Sequence, residues 1–230
     1  MKIQTSTIRE AYFSDRLKSL SLANGRDLDG EREILTLSTV TLKRTGECNR
    51  ELFDGKLVVD LGCGDQYLRS PLEERGARYF PLDICDCNFE TDNLPIHDES
   101  TDFVISLAVI EHLFDPGKFL AEIRRILKPN GIVWLSTPNI NYCKEKFWND
   151  PTHVHPYNPT SLRHLLNING FSGVSVVPNY RCKSAFFYQE HPLLFHYGRF
   201  LPFLGNSRLP VPEIFKGRCL GIFAFAQKGE

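Results

Sequence analysis

A chain of 230 residues that is 42% apolar and 24% charged can bury one sizeable core, and it lacks the composition of a disordered, collagenous or disulfide-stapled protein. Its 27 basic and 28 acidic side chains leave a net charge of −1, which argues against a broad electrostatic grip on nucleic acid. No apolar run is long enough to cross a bilayer and the stretch from Met1 to Glu10 is polar, so a cytoplasmic location is expected.

Residues 1–50 carry helical patterning, with Tyr12, Phe13, Leu17 and Leu20 in one stretch and Ile34, Leu35 and Val40 in another. They are expected to form a helical cap beside a main domain over 51–230. Residues 57–61 are a short apolar run closed by glycines, as in a buried parallel strand, and 78–82 and 102–107 read the same way. Ser70 and Glu73 around Pro71 have the spacing of a capping box, so a helix is expected to begin or kink there.

Asp115-Pro116 is an N-cap and first-turn pair, after which Phe119, Leu120, Ile123, Ile126 and Leu127 mark one helix face that Pro129-Asn130-Gly131 stops. Ile132 to Ser136 is the next strand. Asn158-Pro159 opens a helix carrying Leu162, Leu165 and Leu166 on one face, closed by Gly170 before strands near 173–177 and 220–226. Strands alternating with helices imply parallel βαβ units, and hence a doubly wound α/β sheet with helices on both faces. Residues 178–219 break that rhythm with Phe186, Phe187, Phe200, Leu201, Phe203 and Leu204 among prolines. This apolar insertion reads as a lid over the core, as a dimer contact, or as a peripheral membrane contact through 186–204.

Seven irregularly spaced cysteines do not form a disulfide framework, and Cys85 and Cys87 lack the second pair that a zinc site of usual spacing needs. Glu111-His112 resembles the start of a zinc-protease motif, but position 116 is proline instead of histidine. No metal is therefore expected.

The most informative segment is Val59-Asp60-Leu61-Gly62-Cys63-Gly64-Asp65, where the first strand gives way to a helix. Glycines there let the chain turn sharply and let a ligand approach backbone N–H groups. Asp83, just after the second strand, is placed to reach the same crevice and hold ribose hydroxyls. The dinucleotide fingerprint asks for a third glycine where Tyr67 stands, which disfavours NAD.

The ordered set from 57 to 139 resembles the class I S-adenosylmethionine-dependent methyltransferases, the small-molecule and polysaccharide-cluster type in particular. It runs Asp60-Leu-Gly-Cys-Gly64, Asp83, Asn93-Leu94, Val109-Ile-Glu-His-Leu113 and Leu127-Lys-Pro-Asn-Gly131. The resemblance implies a mostly parallel, seven-stranded, Rossmann-like sheet and S-adenosyl-L-methionine as cofactor. It implies that Asp60, Gly62, Cys63 and Gly64 surround the methionine portion, that Asp83 bonds the ribose, and that Ile84 packs near adenine. Asn93 and Leu94, or Glu90 and Asp92, would lie near the base, Ser106 and Leu107 would line the methionine side, and His112 would sit close by. The family often has another glycine where Gln66 stands, a departure that bears on the loop path. Asp150-Pro-Thr-His153-Val-His155 looks like a segment over the mouth of the transfer pocket, and His153 and His155 are candidate bases for a hydroxyl acceptor. The acceptor is expected to be a small molecule, a glycan or a lipid-linked compound, methylated on oxygen, nitrogen or carbon, by a monomer or homodimer. A non-catalytic nucleotide-binding module and an NAD-dependent oxidoreductase are the competing readings.

Overall fold

A computed structural model describes residues 33, 34, 37, 52–178, 200–204, 210–212 and 215–229. Its main sheet has six strands: β1 (Leu57–Leu61), β2 (Arg78–Leu82), β3 (Thr101–Leu107), β4 (Leu127–Pro138), β5 (Phe171–Pro178) and β8 (Gly221–Lys228), in the order β2-β1-β3-β4-β8-β5. The first four lie parallel, while β8 runs antiparallel between β4 and β5. Two short strands within the apolar insertion, β6 (Phe203–Leu204) and β7 (Lys216–Arg218), pair in parallel apart from that sheet.

Alternation along the strands fills two cores. Val59, Val104, Val133, Leu135 and Ala224 face helices α2 (Pro116–Ile126) and α4 (Pro159–Ile168), which the short α3 (Ile140–Cys143) separates in the chain, and Phe119, Ile123, Leu162 and Leu166 are fully buried there. Val58, Phe103, Ile105, Trp134, Phe223 and Phe225 face the other way, against Leu68 and Leu72 at helix α1 (Arg69–Glu73) and against Phe53, Ile34 and Leu37. Phe53, Phe103 and Trp134 form an aromatic triad with ring centroids 5.3–5.8 Å apart. The sheet is thus buried on both faces, which is why its strands read as continuous apolar runs. Glu33, Ile34 and Leu37 are helical, and the rest of the expected cap over 1–50 lies outside the described residues, as do most of 178–219. Phe200 is exposed, and no helix among the described residues is long and apolar enough to cross a membrane.

Two expectations are corrected. The resemblance implies seven strands, whereas the main sheet of the described residues has six, with none between β2 and β3. Backbone N–H groups there are taken by nearby side chains: Asp83 N–H by Asp86 (2.8 Å), Asn88 N–H by Asp92 (2.9 Å) and Glu90 N–H by Asn88 (2.9 Å). Such local turns leave no donors for a neighbouring strand. Nor do Ser70 and Glu73 make a capping box, since α1 starts one residue earlier and Ser70 Oγ donates to Glu74 at 3.1 Å.

The other two caps match expectation. Asp115 accepts from Gly117 N–H at 2.9 Å, and Asn158 accepts from Thr160 and Ser161 N–H at 2.9 and 3.0 Å. Ser161 Oγ closes the box by accepting from Asn158 N–H at 2.9 Å. Asn158→Ala is expected to lower stability by about 1 kcal/mol, read as an earlier midpoint in urea unfolding.

Candidate active site

β1 ends in a sharp bend at the carboxyl edge of the parallel strands, where a doubly wound sheet places its ligands. Gly62 and Gly64 take φ of 80° and 54° there, in the left-handed region that glycine enters without steric cost. A Cβ on Gly62 would overlap the Val109 Cγ2 methyl, so the space at the bend is committed as well as its conformation. Gly62 and Cys63 N–H donate to Leu82 O at 2.7 and 3.3 Å, tying the bend to the end of β2.

Asp83 closes the arrangement. Its Oδ2 accepts from Gly64 N–H at 2.7 Å and its Oδ1 from Ile84 N–H at 2.6 Å. Cys63 Sγ also donates to Oδ2 at 4.0 Å, and because a carboxylate oxygen accepts more than one bond, Oδ1 retains capacity for a ligand hydroxyl. Gln66, at the place where glycine is common, also takes a positive φ, of 58°. Its Oε1 accepts from Arg69 Nε at 3.0 Å and Nη2 at 2.6 Å, a local anchor for the strained residue.

Asp60 lies beneath the bend, 3% exposed, and accepts from Tyr79 Oη at 2.5 Å. Burial, reinforced by the charges of Asp83, Glu33 and Asp65 and opposed by the Tyr79 hydrogen bond, pushes its carboxyl up to about 7. The Arg69 guanidinium sits 5.0 Å from the Tyr79 ring centroid. Burial, followed by the charges of Asp60, Asp83 and Asp86, pushes the Cys63 thiol up to about 12, so Cys63 is a neutral lining group rather than a nucleophile. Tyr79 was not among the residues read from sequence. Its signal is the alternation of β2, which sends Tyr79 and Pro81 to one face.

A cluster of carboxyl groups around the bend suits a ligand carrying positive charge and opposes a pyrophosphate, which weakens the NAD reading further. The residues fit an adenosyl group joined to a cationic methionine portion: open backbone at Gly62 and Gly64, spare acceptor capacity on Asp83, and a buried acid at Asp60.

The other expected residues fall in three places. Ser106 is 1% exposed at the end of β3, with its Oγ lacking a hydrogen-bond partner among the described residues, and Leu107 and Ile84 are half-buried. Asn93 and Leu94 contact α2, where Asn93 Oδ1 accepts from Lys118 Nζ at 2.6 Å and Leu94 N–H donates to Glu122 at 2.8 Å. The Leu94 side chain belongs to the core. Glu90 accepts from Phe114 and Asp115 N–H at 2.6 and 3.0 Å, and Asp92 is engaged with Asn88.

The histidines gather beyond the end of β3. Glu111 and His112 form a 3-10 turn, Ile110–His112, directly after Val109. The loop that carries Asp150 to Tyr157 docks on this turn, since Val154 and His155 N–H donate to Glu111 O at 2.8 and 3.1 Å. His112 and His153 come to 4.7 Å between ring centroids, and His155 Nε2 bonds Phe114 O at 3.0 Å. A carbonyl only accepts, so the lone pair of neutral His155 is on Nδ1. Glu111, Asp150 and Thr152 complete this group, and the sequence alone did not bring them together.

Residues 37–176 match the family model described as a methyltransferase domain. The chain is 33% identical over 136 residues to a probable S-adenosylmethionine-dependent methyltransferase of Mycolicibacterium smegmatis, covering 51% of this chain and 52% of that protein. A ubiquinone biosynthesis O-methyltransferase of Cereibacter sphaeroides is 30% identical over 129 residues, 46% of this chain and 52% of its own length. The chain therefore spans about half the length of the curated relatives it matches. A SAM-dependent methyltransferase from Archaeoglobus fulgidus shares the fold, with a TM-score of 0.56, 20% identity, and coverage of 89% and 95% of the two chains.

Proposed function

Since the chain belongs to the class I S-adenosylmethionine-dependent methyltransferases, we propose that it transfers a methyl group from S-adenosylmethionine to an oxygen atom of a small-molecule, glycan or lipid-linked acceptor. When bound, the sulfonium supplies an electrophilic methyl group, and what remains for the protein is placement and exclusion of water. The observation that carries this reading is the Gly62–Gly64 bend closed on Asp83 above the buried Asp60.

Asp83 uses its remaining acceptor capacity on the ribose hydroxyls. Asp60 faces the positive methionine portion, with Gly62, Cys63 and Gly64 around it. Ile84 packs the adenine, Ser106 and Leu107 line the methionine side, and His112 stands behind them. His153 and His155 receive the acceptor hydroxyl, each with one ring nitrogen bound to a carbonyl and the other offered as a lone pair. Oxygen is favoured as the methyl acceptor because imidazoles that accept a proton help a hydroxyl and add little for an amine that is already neutral. The similarity to ubiquinone O-methyltransferases supports the same choice.

Incubation of the full chain with tritiated S-adenosylmethionine and parallel sets of phenols, sugars and amines tests this assignment. Label on the hydroxylated acceptors is expected, and label confined to the amines would contradict it. Asp83→Asn keeps one oxygen acceptor for Gly64 N–H and removes the charge. It is expected to weaken S-adenosylhomocysteine binding about tenfold in calorimetry, the loss typical of a charge-assisted hydrogen bond.

A further inference from the structure

One ligand atom from each of Glu111, His112 and His153 lies within 4.8 Å of the other two. Glu111 and His112 are 0% and 6% exposed, and the His153 side chain keeps 11%.

Hydrogen bonding settles the tautomer of each ring. His153 Nδ1 lies 2.6 Å from Phe147 O, which can only accept, so Nδ1 carries the proton. Thr152 Oγ1 gives its hydrogen to Asp150 Oδ1 at 2.5 Å and therefore accepts from His112 Nδ1 at 2.9 Å. In the neutral rings both lone pairs are thus on Nε2. Fixing one ring nitrogen on a carbonyl or hydroxyl while the other faces a metal is how metal-binding histidines are held. Two imidazole nitrogens and one carboxylate form a donor set suited to divalent first-row transition cations.

We propose that Glu111, His112 and His153 bind one such cation, with the Thr152–Asp150 pair and the Phe147 carbonyl as positioning groups. For its use the site rests on the methyl-transfer reading: a cation there takes the acceptor oxygen as a further ligand and eases loss of its proton to solvent. In that case His153 serves as a ligand, and His155 is the ring left to accept a proton. The acceptor class narrows to compounds whose reacting hydroxyl can coordinate a metal. The second histidine that the sequence lacks at position 116 is supplied by the docked 150–157 loop, which explains why no local motif announces the site.

Chelator-stripped full-length chain titrated with Zn2+ and with Mn2+, followed by S-adenosylhomocysteine on the same sample, tests this. One cation per chain is expected. Binding should weaken at least about tenfold in Glu111→Gln and in His153→Gln and by about 10- to 100-fold in Thr152→Val. It should be unchanged in His155→Ala. Absence of saturable binding would overturn the site, and so would equal affinity in Glu111→Gln and His153→Gln, which would place the ion elsewhere, as on Cys85 and Cys87. S-adenosylhomocysteine reports separately on the crevice: its retained binding alongside absent cation binding removes the metal site and leaves the methyl-transfer reading standing.

Discussion

Gly62→Ala is expected to cost the cofactor crevice about 2–4 kcal/mol, a loss of about 30- to 1,000-fold in S-adenosylhomocysteine affinity. Two penalties combine. At φ of 80° an L side chain is strained, and the added Cβ runs into Val109 Cγ2. Val109 cannot retreat freely, because the 3-10 turn that follows it is packed against the 150–157 loop. Relief must come from the bend itself, which would pull Gly62 and Cys63 off Leu82 O and carry Gly64 N–H away from Asp83. Thermal unfolding of the variant distinguishes this local damage from a general loss of fold. A modest fall in Tm with affinity reduced by that factor is the predicted pair, and wild-type affinity would show that the bend tolerates a side chain.

Cofactor affinity is expected to rise about a hundredfold between pH 5 and pH 7 and then level off. The cause is Asp60, whose carboxyl is pushed up to about 7, first by burial and then by the neighbouring acids. A cationic methionine portion beside it favours the ionised form. Below pH 7, binding must therefore release one proton, and affinity gains about tenfold per pH unit. The ligand-free chain responds with the opposite sign. A carboxyl that ionises near 3.8 in the unfolded chain and near 7 in the fold binds more protons folded than unfolded within that window. The contribution of Asp60 to stability consequently falls as pH rises from about 4 to about 7, and it is flat beyond. Asp60→Asn removes the titrating group, so the affinity slope should vanish and the stability profile should lose this falling component. Isothermal titration with S-adenosylmethionine, which carries the sulfonium charge, at pH 5, 6, 7 and 8 checks the first slope, and urea unfolding at the same values checks the second.

Much of the sheet could be read from residues because burial on both faces turns β1, β3 and β4 into unbroken apolar runs. Asp115 and Asn158 announce their helices through side chains that cap the first turn. The bend at Gly62 and Gly64 was equally legible, since it needs backbone conformations that few residues tolerate. Segments whose backbone partners are side chains were harder. Residues 83–92 have an acidic and polar composition whose side chains accept from nearby N–H groups, and no strand forms there.

The proton balance of Asp60 also escaped, because Tyr79 reaches it across strands and the charges around it converge only in three dimensions. Glu111, His112 and His153 show the same limit most clearly. His112 lies in the 3-10 turn beyond the end of β3 and His153 in a loop preceding α4, and no periodicity links them. Only the hydrogen bonds from Val154 and His155 to Glu111 O bring the loop to the turn.

The amide resonances of Gly62, Cys63 and Gly64 in an isotope-labelled chain titrated with S-adenosylhomocysteine probe the crevice most directly. The account predicts saturable shifts of these three signals and of Ile84 at one molecule per chain, with NAD leaving them in place. Unmoved glycine signals under saturating ligand, or equal shifts with NAD, would contradict it.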